Sequence, residues 1–127
     1  MSEEFKVKSS GSEDNYDTGA KRDKQSGKGR MDLLPVDAVI EVSQIFEAGA
    51  NRYAERNWEL GIPLSRYIDS GLRHGFKVLR GDADENHAAM AAWNWLCFIQ
   101  TRKWIAEGIL PPELDNLPER VKIIVKK

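Results

Sequence analysis

The segment from His87 to Glu107 constrains the fold most, because it contains neither proline nor glycine and is followed by Gly108. Up to Gln100 its side chains are apolar almost all the way round, whereas a helix at a protein surface is apolar along one stripe only. An uninterrupted run of this length favours a helix over a strand. The segment therefore predicts a helix buried at the centre of the fold.

Two amphipathic segments come before this central helix. The first begins near Pro35, and the second follows Ser65, which we expect to be its N-cap, and ends at Gly81. The apolar positions at helical spacing are Val39, Val42, Phe46, Gly49, Ala50 and Tyr53 in the first and Ile68, Leu72, Phe76 and Leu79 in the second. Strand signals are scarce elsewhere, so the sequence predicts an all-α protein, a compact bundle of three to four helices.

The first 30 residues differ in composition from the rest of the chain. They are rich in Ser, Gly, Lys, Asp and Glu, and all four Trp lie after residue 57. Such a segment buries too little apolar surface to offset its ordering entropy. We therefore expect a flexible N-terminal arm, with residues 1–18 disordered and residues 19–127 forming a single helical domain. The final residues, VKIIVKK, form a short C-terminal extension, either a strand or an ordered tail.

Charge and composition exclude several classes of protein. The 127 residues carry a formal net charge of −1, which argues against a polybasic nucleic-acid coat. The single cysteine, Cys97, excludes an internal disulfide and a metal site built on thiolates. No apolar run reaches the ~18 residues of a membrane helix and the first residues resemble no secretion signal, so we expect a soluble, cytoplasmic protein. A folded body of about 100 residues also gains from an oligomeric interface.

The acidic turn, defined as residues 82–86 (DADEN), comes directly before the central helix. Asp82, Asp84 and Glu85 repel one another there, and hard divalent cations such as Mg²⁺ or Mn²⁺ relieve that repulsion through oxygen ligands. Carboxylates at a helix N-terminus also complement the helix dipole, and this interpretation stays open. Glu41 borders the apolar stripe of the first helix, where a carboxylate can point into a groove between helices.

Cations suited to phosphate binding occur in two places. Lys28 and Arg30 alternate with glycines in KQSGKGR, which can offer two cations and bare backbone N–H groups to a phosphate. The spacing is not that of a Walker A loop, and a solvated tail is the alternative. Arg73 and His74 add positive charge, although Arg73 is equally explained by an i,i+4 pair with Asp69.

Polar and aromatic side chains in apolar surroundings mark another candidate region. Asn94 lies in the apolar stretch of the central helix, and His87 lies two turns earlier on the same face. These two are either satisfied core and capping residues or the polar lining of a ligand pocket. Trp58, next to Asn57 in a predicted loop, either closes a small hydrophobic core or stacks on a base.

Four runs of the chain occur in an order that matches a known family. They are GKGRMDLLP (27–35), FEAGANRYAERNWELG (46–61), RYIDSGLRHG (66–75) and HAAMAAWN (87–94). Together they resemble the phage dATP/dGTP diphosphohydrolases, the MazZ-like branch of the MazG-like all-α nucleotide pyrophosphatases. The resemblance covers about residues 19–98, which is most of the predicted helical body.

The resemblance implies hydrolysis of a purine deoxynucleoside triphosphate, dGTP and also dATP, to the monophosphate and pyrophosphate. In MazZ-like proteins the dGMP so formed supplies the synthesis of 2-aminoadenine DNA. The resemblance also implies Mg²⁺ or Mn²⁺ as the cofactor and helical subunits assembled as homodimers or homotetramers.

The predicted site combines these candidates in three roles. The predicted catalytic residues are Glu41 and Glu85. The predicted metal ligands are Glu41, Asp82, Asp84 and Glu85. The predicted substrate-binding residues are Lys28, Arg30, Asn57, Trp58, Arg73, His74, His87 and Asn94. The sequence departs from the family at Asp82, where Glu is usual, and at Met90, where a second His is common.

Two other functions stay open at this point. An HD-type triphosphohydrolase needs a His/Asp metal set, but neither His74 nor His87 is followed by Asp. A non-enzymatic helical protein that binds a phage or host partner is the other alternative. Salt-dependent DNA binding without turnover would favour that alternative, although the balanced charge argues against stable binding to nucleic acid.

Overall fold

The computed structural model describes residues 11–119 of the chain. The chain divides into two compact units, Met1–Leu34 and Pro35–Lys127. This division falls inside the single helical domain that the sequence predicts over residues 19–127. Residues 1–10 of the predicted arm and the C-terminal VKIIVKK lie outside the described residues, so their predicted conformations stay predictions.

The first unit contains a small antiparallel hairpin. Strand β1 (Glu13–Asn15) pairs with strand β2 (Lys21–Asp23), in a register that sets Asp14 opposite Arg22. The carboxylate of Asp14 accepts a hydrogen bond from the backbone N–H of Gln25 (2.9 Å). Local hydrogen bonds thus order part of the segment predicted to be a flexible arm, although it buries almost no apolar surface. A 3₁₀ turn (Met31–Leu33) ends the unit.

The second unit is built from three α-helices. These are α1 (Val36–Arg52), α2 (Leu64–Arg80) and α3 (His87–Ala106). A 3₁₀ turn (Asn57–Leu60) lies between α1 and α2, and another (Pro112–Leu114) follows α3. The prediction of an all-α bundle is confirmed, and each helix begins or ends within a residue or two of its sequence signal.

Helix α3 packs against both α1 and α2 and contributes most of the buried residues. Leu64 and Tyr67 from α2 form the core with Cys97 and Phe98 from α3, while α1 has no buried residue. The sequence predicts burial around the whole of α3, but one face of this helix is exposed. The exposed side chains are Trp95, Leu96 and Ile99.

The start of α2 differs from the sequence prediction, which places the N-cap at Ser65. Helix α2 begins one residue earlier at Leu64, and Pro63 is its N-cap. Ser65 is bonded to Asn116 instead. The Asn116 side-chain oxygen accepts from the Ser65 backbone N–H (3.0 Å), and the Asn116 amide donates to the Ser65 hydroxyl (2.7 Å). An amide from beyond α3 therefore satisfies one of the first-turn N–H groups of α2, which have no partner within the helix.

Three polar groups lie inside the α2–α3 contact. The hydroxyls of Tyr67 and Thr101 are buried and make no well-formed hydrogen bond within residues 11–119. Burial raises the pKa of Tyr67 to about 12, against a smaller lowering by the Thr101 hydroxyl. Burial also raises the pKa of the Cys97 thiol to about 12, so this cysteine is not a thiolate nucleophile at neutral pH.

Candidate active site

The connection between α2 and α3 holds the acidic residues singled out in the sequence. Gly81, after the last residue of α2, has a φ of 87°, a left-handed conformation that glycine adopts without a Cβ clash. The backbone N–H of Asp82 then donates to the carbonyl of Lys77 (3.0 Å), which closes the helix end. The acidic turn therefore runs directly from the end of α2 to the start of α3.

Asp82, Asp84 and His87 each bring one potential ligand atom to within 4.8 Å of the others. Within residues 11–119 this is the one cluster of three such side chains. His87 is 2% exposed, whereas the Asp84 side chain is 70% exposed. Carboxylate oxygens suit both Mg²⁺ and Mn²⁺, whereas an imidazole nitrogen suits Mn²⁺ better, because Mn²⁺ is the softer cation.

Hydrogen bonds join Asp84, His87 and His74 into a chain that crosses from α3 to α2. An Asp84 oxygen lies 2.7 Å from Nε2 of His87, and Nδ1 of His87 lies 2.9 Å from Nδ1 of His74. An ionised carboxylate only accepts, so His87 donates from Nε2 and neutral His87 accepts at Nδ1. This assigns the Nδ1–H tautomer to His74 and fixes the direction of the Asp84 carboxylate.

The charges around this chain agree with that tautomer assignment. The hydrogen bond from His87 holds the pKa of Asp84 below its usual value. Burial lowers the pKa of His74 most, the positive charges of Lys77 and Arg73 lower it further, and the charge of Glu85 opposes them. His74 is therefore mainly neutral at pH 7, as a donor through Nδ1 alone requires.

Arg80, the last residue of α2, pairs with Asp82. Its Nε donates to Oδ1 of Asp82 (2.9 Å), and its Nη2 donates to Oδ2. The guanidinium of Arg80 holds the pKa of Asp82 below its usual range. Both oxygens of this predicted metal ligand are thus in contact with a permanent cation.

Glu41 reaches the start of α3 from α1. Its carboxylate accepts a hydrogen bond from the side-chain amide of Asn86 (2.8 Å), and the Asn86 oxygen caps α3 by accepting from the backbone N–H of Ala89 (3.2 Å). The structure therefore brings Glu41 next to the acidic turn, as the predicted site requires. Glu85 is exposed in the same turn and contributes its backbone carbonyl to the N–H of His87 (3.0 Å).

Three of the predicted phosphate-binding cations have carboxylate partners. Lys28 pairs with Asp23 (3.2 Å) and Arg30 with Asp32 (2.7 Å) in the first unit. Arg73 pairs with Asp69 (3.2 Å) along α2, as its i,i+4 spacing allows. These pairs are exposed, so each contributes little stability and can exchange its partner.

The predicted aromatic contact, Trp58, packs inside the second unit. Its ring stacks on Trp104 (centroids 5.7 Å apart, planes at 14°) and meets Phe46 edge-on (6.1 Å). Asn57 stands beside it, exposed, at the start of the 3₁₀ turn. One face of Trp58 is therefore already covered by another indole.

Asn94 lies where α3 packs against Gly71 of α2. Its amide donates to the Met90 carbonyl (2.9 Å), and a Cβ on Gly71 would come within 3.4 Å of the Asn94 Cβ. Asn94 is 4% exposed. Its amide nitrogen is thus satisfied within its own helix, some distance along α3 from the acidic turn.

Two residues at this site, Arg80 and Asn86, are missing from the sequence prediction. Arg80 stands two positions before Asp82, a spacing from which a turn can bring the two side chains together. Asn86 stands directly before the uninterrupted helical run, which is a strong N-cap signal. A test for polar residues at the two helix ends would have found both.

The fold and the acidic turn define an all-α protein with a carboxylate-rich candidate active site. Residues 18–107 match the family described as dATP/dGTP diphosphohydrolase, N-terminal, and the chain belongs to this family. The match includes all three α-helices and the acidic turn. Searches of the curated proteins and of the solved structures gave no match. Within residues 11–119, no helix has the length and apolar character needed to cross a membrane.

Proposed function

We propose that this protein hydrolyses purine deoxynucleoside triphosphates, dGTP and also dATP, to the monophosphate and pyrophosphate. The observation that carries the proposal is the membership of residues 18–107 in the dATP/dGTP diphosphohydrolase family. The acidic turn, where Asp82 and Asp84 lie beside His87, supports it with a fitting donor set. In the cytoplasm of a phage-infected cell, the dGMP would supply the synthesis of 2-aminoadenine DNA.

The donor set of the acidic turn fits a divalent cation, Mg²⁺ or Mn²⁺. Asp82 and Asp84 would hold it through carboxylate oxygens, and Glu85 and Glu41 are further oxygen donors of the same region. A bound cation supplies charge neutralisation for the triphosphate. His87 has both ring nitrogens in hydrogen bonds, so in this proposal it orients Asp84.

Glu41 is the proposed proton acceptor for the attacking water. The hydrogen bond from Asn86 fixes its carboxylate, whose second oxygen can accept from a water molecule. The water oxygen forms a bond to the α-phosphorus, the bond to the bridging oxygen breaks, and pyrophosphate leaves with the electron pair. The water proton passes to Glu41, and Glu85 is the second proposed catalytic carboxylate. Such a reaction depends on positioning and charge rather than on a covalent nucleophile.

Binding of the triphosphate requires an exchange of ionic partners. Arg73 would leave Asp69 for phosphate oxygens, which carry more negative charge and accept bidentate contacts from arginine. Lys28 and Arg30 of the first unit stay predicted phosphate-binding cations. In this proposal Asn94 contacts the base or the sugar and Trp58 offers a stacking face. The other proposed substrate-binding residues are Asn57 and His74.

Product analysis tests the proposed reaction. With Mn²⁺ present, dGTP and dATP are expected to give equal amounts of monophosphate and pyrophosphate, and excess chelator is expected to stop turnover. Chromatography of the nucleotides with a coupled pyrophosphate assay measures both products. Deoxynucleoside plus triphosphate would contradict the proposal, and so would orthophosphate as the first product. An absence of turnover together with salt-dependent DNA binding would favour the non-enzymatic alternative.

We also propose that the functional unit is an oligomer of this chain, as the predicted homodimer or homotetramer. Support comes from the second unit, in which all three helices leave large apolar side chains exposed. They include Val36, Val39 and Ile40 of α1, Leu72, Phe76 and Leu79 of α2, and Leu96 and Ile99 of α3. Large exposed apolar side chains in this number favour an interface.

A dimer or tetramer of this chain is expected to unfold at a temperature that rises with protein concentration, because association stabilises the folded state by mass action. Thermal melts over a hundredfold range of concentration, with sedimentation equilibrium for the mass, measure the effect. A monomeric mass with a constant melting temperature would exclude the oligomer and would leave the proposed reaction untouched.

A further inference from the structure

Arg80 and Asp82 form a bidentate ion pair at the edge of the candidate metal site. The Arg80 guanidinium donates to both carboxylate oxygens of Asp82, through Nε (2.9 Å) and through Nη2. The Arg80 side chain is 70% exposed and that of Asp82 is 27% exposed. The carboxylate is therefore partly enclosed, while the cation that holds it extends into solvent.

The two aspartates of the site have partners of different kinds. Asp84 accepts from the imidazole of His87, which can be neutral and can therefore orient the carboxylate without neutralising it. Asp82 is held by a guanidinium, which is always charged and contacts both carboxylate oxygens with its fork. Any other cation that approaches Asp82 must compete with Arg80 for the same oxygens.

We propose that Arg80 is a substrate-binding residue that Asp82 holds in reserve and releases to the triphosphate. This inference rests on the proposed function. If Asp82 gave an oxygen to a divalent cation, its bidentate pair with Arg80 would break and the guanidinium would be released. The Arg80 side chain starts two positions before Asp82 in the chain. Its guanidinium matches the geometry of a phosphate group as well as that of a carboxylate.

The exchange couples the binding of cation and nucleotide. Without a triphosphate, cation binding breaks the Arg80–Asp82 ion pair and leaves the positive charge of Arg80 unpaired beside the cation. With a triphosphate, the guanidinium finds a new partner, so each ligand raises the affinity of the other by the same factor. The pair therefore acts against cation binding alone and in favour of the complete cation–nucleotide complex.

The decisive variant is Arg80→Gln in the full chain. Removing the competing charge is expected to tighten binding of Mn²⁺ alone by about tenfold, because a divalent cation no longer meets a guanidinium a few ångströms away. The same variant is expected to bind the non-hydrolysable α,β-methylene dGTP about tenfold more weakly in saturating Mn²⁺. Electron paramagnetic resonance of free Mn²⁺ measures the first affinity, and titration calorimetry measures the second.

Matched controls separate this role from general effects of charge and folding. Arg66→Gln removes the same charge from an exposed position near the other end of α2, and both affinities are expected to match the wild type. Arg80→Lys keeps the charge without the bidentate fork, so its Mn²⁺ affinity is expected to lie between wild type and Arg80→Gln. Far-ultraviolet circular dichroism verifies the helical content of each variant.

The outcomes distinguish this inference from the proposed function. A wild type that binds Mn²⁺ and hydrolyses dGTP, with Arg80→Gln unchanged in either affinity, overturns the role of Arg80 alone. A wild type that neither binds Mn²⁺ nor hydrolyses the nucleotides overturns both. Opposite shifts in the two affinities of Arg80→Gln, absent from Arg66→Gln, support the exchange.

Discussion

Replacing Asp84 by asparagine is expected to lower the turnover of dGTP by at least about a hundredfold. An asparagine oxygen can still accept the hydrogen bond that His87 donates to Asp84 at 2.7 Å, so the side chain keeps its direction and loses only its negative charge. The loss then measures the contribution of this charge to holding a divalent cation. Steady-state kinetics with Mn²⁺, together with Mn²⁺ binding by electron paramagnetic resonance, gives both effects.

Asp37→Asn is the matched control for Asp84→Asn. Asp37 is an exposed aspartate in the first turn of α1, away from the acidic turn in the sequence, and its variant is expected to keep turnover within about twofold. Both variants should retain the helical circular dichroism of the wild type. Wild-type turnover in Asp84→Asn would remove this carboxylate from the proposed metal site.

Gly61→Ala is expected to destabilise the fold by about 2–4 kcal/mol. Gly61 connects the 3₁₀ turn to α2 with φ 112° and ψ 118°, a region that residues with a Cβ rarely occupy. A Cβ there would also lie 2.9 Å from a methyl group of Leu114. The free energy of unfolding from urea titration measures the cost.

The same substitution at Gly75 is expected to have the opposite sign. Gly75 lies inside α2, and a Cβ there meets no heavy atom within 4 Å apart from the helix's own backbone. Alanine is favoured over glycine in a helix by about 1 kcal/mol, so Gly75→Ala should raise the free energy of unfolding. Equal effects of the two substitutions would contradict the backbone conformation described for Gly61.

The features that local sequence determines were predictable. The central helix follows from a run without Gly or Pro, and the end of α2 follows from Gly81, which takes the left-handed conformation that the residue type favours. The N-cap at Ser65 was wrong because its partner Asn116 lies 51 positions further along the chain. No local pattern reveals a contact over that separation.

The residues of the candidate site also fall into those that the local sequence reveals and those that depend on helix packing. The acidic turn is visible as consecutive letters, so its carboxylates could be named from the sequence. Their partners depend on how the helices pack: Asn86 meets Glu41 across 45 positions, and His87 meets His74 across 13 positions. The sequence could propose these residues as candidates, but the pairing that assigns a tautomer to His74 needs the structure.

The stack of Trp58 on Trp104 makes two indoles into one coupled chromophore. Their ring planes lie at 14° to each other with centroids 5.7 Å apart, close enough for exciton coupling, whose circular dichroism band depends on the mutual orientation of the transition dipoles within the two rings. This band therefore reports where the turn that carries Trp58 lies against α3, separately from the far-ultraviolet signal of the helices. A purine that inserted between the two rings would weaken the couplet, whereas one that covered the opposite face of Trp58 would leave it in place.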